Sequence, residues 1–147
     1  MAEELDVAPP RDISVFETTI RVLGGLLATH ALSQKQVFLD RAVEMADHLL
    51  PAFGTKSGIP FSDVNLRTGA AHAPAGSRDA STSEATTLQL EFAWVAARTG
   101  RPELAAPAER VNAVVAALPK EDGLVPYYVN VDSARFSRTT LTLGALL

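Results

Sequence analysis

The sequence contains no cysteine, which excludes a disulfide scaffold and any cysteine-ligated zinc or iron–sulfur centre while leaving the compartment open. Aromatic residues make up only 6% of the 147, so the core must be built from alanine, leucine and valine, a composition that favours close-packed helices. No apolar run approaches the roughly 20 residues of a membrane-spanning helix. Basic charge is in deficit: 13 Lys and Arg stand against 17 Asp and Glu, a net charge of −4 and a pI near 5.3. Such a chain offers no basic field to nucleic acid. The first eleven residues, MAEELDVAPPR, have neither the basic nor the apolar part of a signal peptide, so no targeting signal is expected in this chain. What is present is ordinary for a globular protein, 47% hydrophobic and 20% charged, and the length suits one domain.

Four helices are expected. Ile13, Phe16, Ile20, Leu23 and Leu27 recur at helical spacing over residues 13–30, with Asp12 or Ser14 as the cap. Ser33 is expected to cap a second helix over 34–50, with Val37, Leu39, Ala42, Met45 and Leu49 on its apolar side and Pro51 as its stop. The short connection predicts an antiparallel hairpin. Residues 51–80 are rich in Gly and Pro and read as a long loop, packed down through its apolar stretch at 59–65. A third helix over 81–99 begins at Ser81 or Thr82, with Glu84 completing a sequence that resembles a capping box. A fourth, over 102–118, carries Leu104, Ala108, Val111, Val115 and Leu118, and Pro107 argues for a late start or a kink. Asp122-Gly123 predicts a turn before a short strand in 124–131, hairpinned with 134–137. Residues 139–147 read as the beginning of another helix. The plan of helix, turn, helix, loop therefore occurs twice, a coarse repeat of the kind found in stacked or toroidal helix-pair folds.

Glu17 and Arg21 share one face of the first helix at i and i+4, with Gly24 and Gly25 further along. An exposed ion pair is the plain reading. Against it, the surrounding residues are almost all uncharged, and two mid-helix glycines cost roughly 1 kcal/mol each relative to alanine, a cost that points to room needed beside the helix. A carboxylate in that setting can act as a general acid. Glu84 sits in a first helical turn, where the helix dipole alone accounts for it, and Glu91 lies about two turns on. His30, His48 and His72 stand singly, without the spacing of a helical metal site. Asp63, Asn65 and Asp79 have no EF-hand spacing, and there is neither a phosphate-binding loop nor a Gly-x-Ser-x-Gly elbow.

Several stretches together resemble one known family. They are SVFETTIRVLGGLL at 14–27, LPAF at 50–53, GIPFSDVNLRTG at 58–69, SEATTLQLEF at 83–92, DGLVP at 122–126 and TLGA at 142–145. In this order they are similar to the class I α-1,2-mannosidases, glycoside hydrolase family 47, and fit its endoplasmic-reticulum branch best. The resemblance implies an all-α fold, part of an (α/α)7 barrel, with about two helical hairpins and a short β-hairpin. It implies inverting removal of terminal α-1,2-linked mannose from high-mannose N-glycans in the endoplasmic reticulum or Golgi lumen. It makes Glu17 the general acid, and Arg21 and Glu84 sugar- or water-contacting residues. Calcium is expected for the full-length domain, but the threonine that binds it is not among these residues, so no metal ligand is expected in this chain.

The sequence departs from the family at its end. Leu146 stands where an arginine is expected, and the following aspartate, the later carboxylate base and a disulfide of many members fall beyond Leu147. Residues 12–147 therefore read as the N-terminal part of a truncated catalytic domain behind a leader at 1–11, and this chain alone is expected to be inactive. Two other readings stay open: a non-catalytic mannose-binding quality-control module, and a helical-pair scaffold that binds protein through its open faces.

Overall fold

The computed structural model describes residues 6–74 and 77–142. Its elements run β1 (Asp12–Ser14), α1 (Val15–Thr18), a π-helical turn (Thr19–Leu23), α2 (Gly24–Ser33), α3 (Gln36–Leu49) and a 3-10 turn (Leu50–Phe53). They continue through β2 (Asp63–Asn65), β3 (Ala71–His72), β4 (Asp79–Ser81), α4 (Thr82–Thr86), α5 (Gln89–Thr99), α6 (Pro102–Ala117) and β5 (Tyr128–Asn130). The chain is mostly helical, as expected: α2 packs on α3, α5 on α6, and α5 touches both α2 and α3. Leu23, Leu27, Leu49, Leu88, Phe92, Val95, Leu104 and Val111 fill the space between them.

The first helix differs from its expectation at both ends and in its buried face. Residues 12–14 are extended, and Ile13 pairs with Val64 rather than opening the helix. Ser14 is the cap: its Oγ accepts from the Glu17 backbone N–H at 3.2 Å. The helix runs to Ser33, where Gln34 turns left-handed and its N–H donates to the His30 carbonyl at 2.8 Å. Ser33 thus closes this helix instead of capping the next, which begins without a side-chain cap at Gln36. Along the way the buried residues are Val15, Thr19, Leu23 and Leu27, every fourth position. In an α-helix four residues overshoot one turn by about 40°, so such a stripe drifts away from the core. The wider π-turn over Thr19–Leu23 winds less per residue and takes up that drift.

The other departures are also local. The third helix is two: the hydroxyls of Thr86 and Thr87 bond back to the Thr82 and Ser83 carbonyls (2.8 and 2.9 Å), and α4 ends before Leu88. The fourth helix starts at Pro102 and carries Pro107 inside it without a late start. Asp122 and Gly123 take the two positive-φ positions of a two-residue turn, as read. The following strand is shorter than expected, and it pairs with β4 as well as bridging Val129 to Phe136. The loop over 51–80 is packed down through Ile59, Val64 and Leu66, but it also contributes β2 and β3 to a sheet with β1. Residues 139–142 are not helical; the Thr140 carbonyl accepts from Tyr127 N–H at 2.8 Å. The remainder of that expected helix, with Leu143, Gly144, Ala145 and Leu146, lies outside the described residues. Of the leader, Val7 is buried, and Arg67 Nε donates to the Ala8 carbonyl at 3.1 Å.

The two glycines of α2 do different things. A Cβ on Gly24 would lie 3.4 Å from Glu91 Oε1, whereas one on Gly25 would meet nothing within 4 Å. Gly25→Ala is therefore expected to stabilise the protein by about 0.5–1 kcal/mol through backbone entropy, read as a rise in the thermal midpoint.

Candidate active site

Two short strands deliver two glutamates in the same way. β1 ends at Ser14, which caps α1, and Glu17 is the third helical residue. β4 ends at Ser81, whose Oγ accepts from the Glu84 backbone N–H at 3.5 Å, and Glu84 is again third. Each serine is also held in a ladder, Ser14 opposite Asp63 and Ser81 opposite Tyr128. Backbone bonds fix the helix entries: Val15 N–H donates to the Ser62 carbonyl and Thr82 N–H to the Tyr127 carbonyl, both at 2.8 Å. The buried Thr82 adds a hydroxyl bond to the Pro126 carbonyl, also 2.8 Å. Ser-x-x-Glu is a capping-box sequence, yet Glu17 does not turn back to its cap; Arg21 Nε donates to its Oε2.

The Glu17–Arg21 pair is exposed, and its geometry holds the Arg21 guanidinium proton more firmly than usual, chiefly through the hydrogen bond to Glu17. An ion pair in solvent adds little to stability, so stability does not account for its place on an otherwise uncharged helix. Glu84 is half-buried. Burial pushes its carboxyl above the ordinary range, and the negative charges of Glu17 and Asp63 push it further. The three sequence-predicted residues thus share one neighbourhood, Glu17 bonded to Arg21 and felt by Glu84.

Beside Glu84 lies a pit of about 20 Å³, room for a single water. Val15 and Phe16, just before Glu17, form one side, and Pro60, Phe61 and Ser62 another. The sequence marks Pro60, Phe61 and Ser62 only as part of an apolar, packed stretch, and Asp63 only as an oxygen donor without metal-site spacing. Glu91, two turns along by sequence, falls beyond the break between α4 and α5. Its Oε2 is buried without a partner, and burial raises its carboxyl too. His72 reaches back to β1, its Nε2 3.2 Å from Asp12 Oδ2. Among the described residues no three His, Asp or Glu side chains come together as a metal-ligand group.

The Glu84 environment has a measurable consequence. A carboxyl whose folded-state value is raised costs stability as it ionises; its favourable contribution is present below the unfolded value of 4.5 and lost as the pH rises through the folded one. Glu84→Gln removes that loss. Between about pH 4 and about pH 7 the variant is expected to gain on the parent, read as the difference in urea midpoints.

The sequence matches the description of glycosyl hydrolase family 47 over residues 1–147. The chain belongs to that family. A mannosyl-oligosaccharide 1,2-alpha-mannosidase of Arabidopsis thaliana is 44% identical over 99% of this chain and 26% of its own length. The endoplasmic reticulum mannosyl-oligosaccharide 1,2-alpha-mannosidase of Mus musculus is 42% identical over 99% of this chain and 22% of its own. An alpha-1,2-mannosidase from Trichoderma reesei superposes on 93% of this chain and 31% of its own with a TM-score of 0.78 and 26% identity. This family 47 chain therefore spans roughly a quarter of the curated relatives it matches. The likeness to the solved mannosidase also supports the expected fold, a mostly helical part of the α/α barrel with a few short strands.

Proposed function

We propose that this chain carries the acid-bearing portion of an α-1,2-mannosidase site acting on high-mannose N-glycans. The observation that carries the proposal is the pair of glutamates, each third after a strand-held serine cap, with the charge of Glu17 felt by Glu84 beside its pit, within a family 47 match over the whole sequence. Glu17 donates its proton to the glycosidic oxygen as the bond from C1 to that oxygen breaks. A water attacks C1 from the opposite face, and its proton passes to a second carboxylate roughly 6.5–9.5 Å from the acid. We assign that base to the part of the family domain that this chain does not span. Arg21 orients the Glu17 carboxyl, and Glu84 accepts hydrogen bonds from a sugar hydroxyl or a water at the pit.

The family is consistent with a metal-dependent enzyme, but the described residues assemble no ligand set for calcium, so no step is routed through it. Relatives named for the endoplasmic reticulum support that compartment over the Golgi lumen.

The test is a chimera in which this chain replaces the matching stretch of the Arabidopsis relative, with the 147-residue chain alone beside it. The chimera is expected to release mannose from an oligosaccharide ending in α-1,2-linked mannose, first as the inverted anomer by NMR, while the chain alone releases none. A folded chimera that binds the glycan without releasing mannose overturns the proposal and favours a quality-control binding module.

A further inference from the structure

We propose that Arg78, clamped by Asp132, is a positioning residue that fixes the Phe61 ring as the apolar wall of the pit beside Glu84. This rests on the reading of Glu84 as a carboxylate of the site. Arg78 stands just before β4, and its guanidinium lies over the Phe61 ring, 5.2 Å from the centroid. Asp132, just after β5, receives that guanidinium on both oxygens, from Nε at 2.7 Å and Nη2 at 2.6 Å. A bidentate fork of this kind fixes the plane as well as the place of the group. The backbone repeats the link: Val131 N–H donates to the Arg78 carbonyl at 2.9 Å, and Ser57 Oγ donates to the Val131 carbonyl at 2.6 Å. Three segments distant in sequence therefore converge on one ring.

That ring bounds the pit together with Glu84. The ion pair over it is itself about half exposed, 53% for Arg78 and 43% for Asp132. The geometric effect of the clamp is to hold an aromatic ring at the rim of a pit that a carboxyl also lines. Phe61 is one of the walls that help to bury Glu84, and among the described residues Glu84 is the only titratable one lining the pit. Glu17 and Asp63 are the charged neighbours whose field reaches it.

Positioning and plain electrostatics give opposite expectations, which makes the inference testable on the full 147-residue chain. Carboxyl-detected NMR follows the Glu84 titration in the parent, Arg78→Met and Asp132→Asn. If the clamp acts by holding Phe61, either variant loosens the wall, and both lower the Glu84 pKa toward the ordinary carboxylate value. If only charge matters, removing the cation raises it and removing the anion lowers it. Arg78→Lys keeps a cation over the ring but loses the fork, and is expected to fall between parent and Arg78→Met. Unchanged dispersion of the buried methyl signals confirms that each variant is folded. Shifts in opposite directions, or no shift in either variant, overturn the proposal. An active chimera with no such shift removes this role alone, whereas an inactive chimera with both shifts downward removes the proposed hydrolysis and leaves the positioning intact.

Discussion

Phe92→Ala is expected to destabilise the protein by about 3–5 kcal/mol, the cost of removing a fully buried aromatic side chain and leaving a cavity. Phe92 has no exposed surface and meets Phe53 edge-on, with ring centroids 5.5 Å apart and planes at 82°. Phe53 ends the 3-10 turn after α3, so this contact joins the two helical hairpins. The loss is a large fraction of the 5–15 kcal/mol typical of a domain, and corresponds to a drop in thermal midpoint of roughly 6–20 °C. Phe92→Leu keeps most of the volume and is expected to cost less than half as much, so the pair separates cavity formation from loss of the ring contact. A Phe92→Ala loss below about 1 kcal/mol would contradict a tightly packed junction at this point.

Glu17→Gln should behave in the opposite way, leaving the fold alone and removing the chemistry. The carboxyl is half exposed, its side-chain partner is Arg21, and the glutamine amide oxygen can still accept from that guanidinium. The change in stability is therefore expected within about 0.5 kcal/mol. In the chimera, turnover is expected to fall by about 10²–10⁴, the usual contribution of a positioned acid, with KM little altered because the lost interaction is made in the transition state. Retention of more than a tenth of the parent rate would exclude Glu17 as the proton donor.

Much of the helical framework is legible in the sequence because its signals are short-range. Ser14 and Ser81 cap, Pro51 and Gly100 stop, and Leu39, Ala42, Met45 and Leu49 line one face at helical spacing. The strand at 128–130 is legible within the run after Asp122-Gly123, but β1 to β4 are not, because two or three residues cannot display an alternating pattern and their partners are remote. Asp12 lies opposite Asn65, and Asp79 opposite Asn130. The break after Thr86 is hidden for another reason: hydroxyls that compete for helix carbonyls leave no mark on hydrophobic periodicity. At the site, Glu17, Arg21 and Glu84 stand out once the resembling stretches are aligned. Phe61, Arg78 and Asp132 do not, because what they do depends on contacts across a distance that spacing cannot express.

The π-turn sets the phase between the reactive face and the core. Glu17 lies ahead of it, Arg21 within it, and Leu27, the last buried anchor, after it. A helix of this kind keeps two clocks: buried side chains tick in fours, while the residues beyond follow the ordinary turn. Regular α-helical winding of these same residues would rotate Glu17 by about 80° relative to Leu27, about 40° for each four-residue interval from Thr19 to Leu27. Every side chain would survive and the acid would face elsewhere. In this stretch the winding of the backbone carries as much chemical information as the identity of its residues.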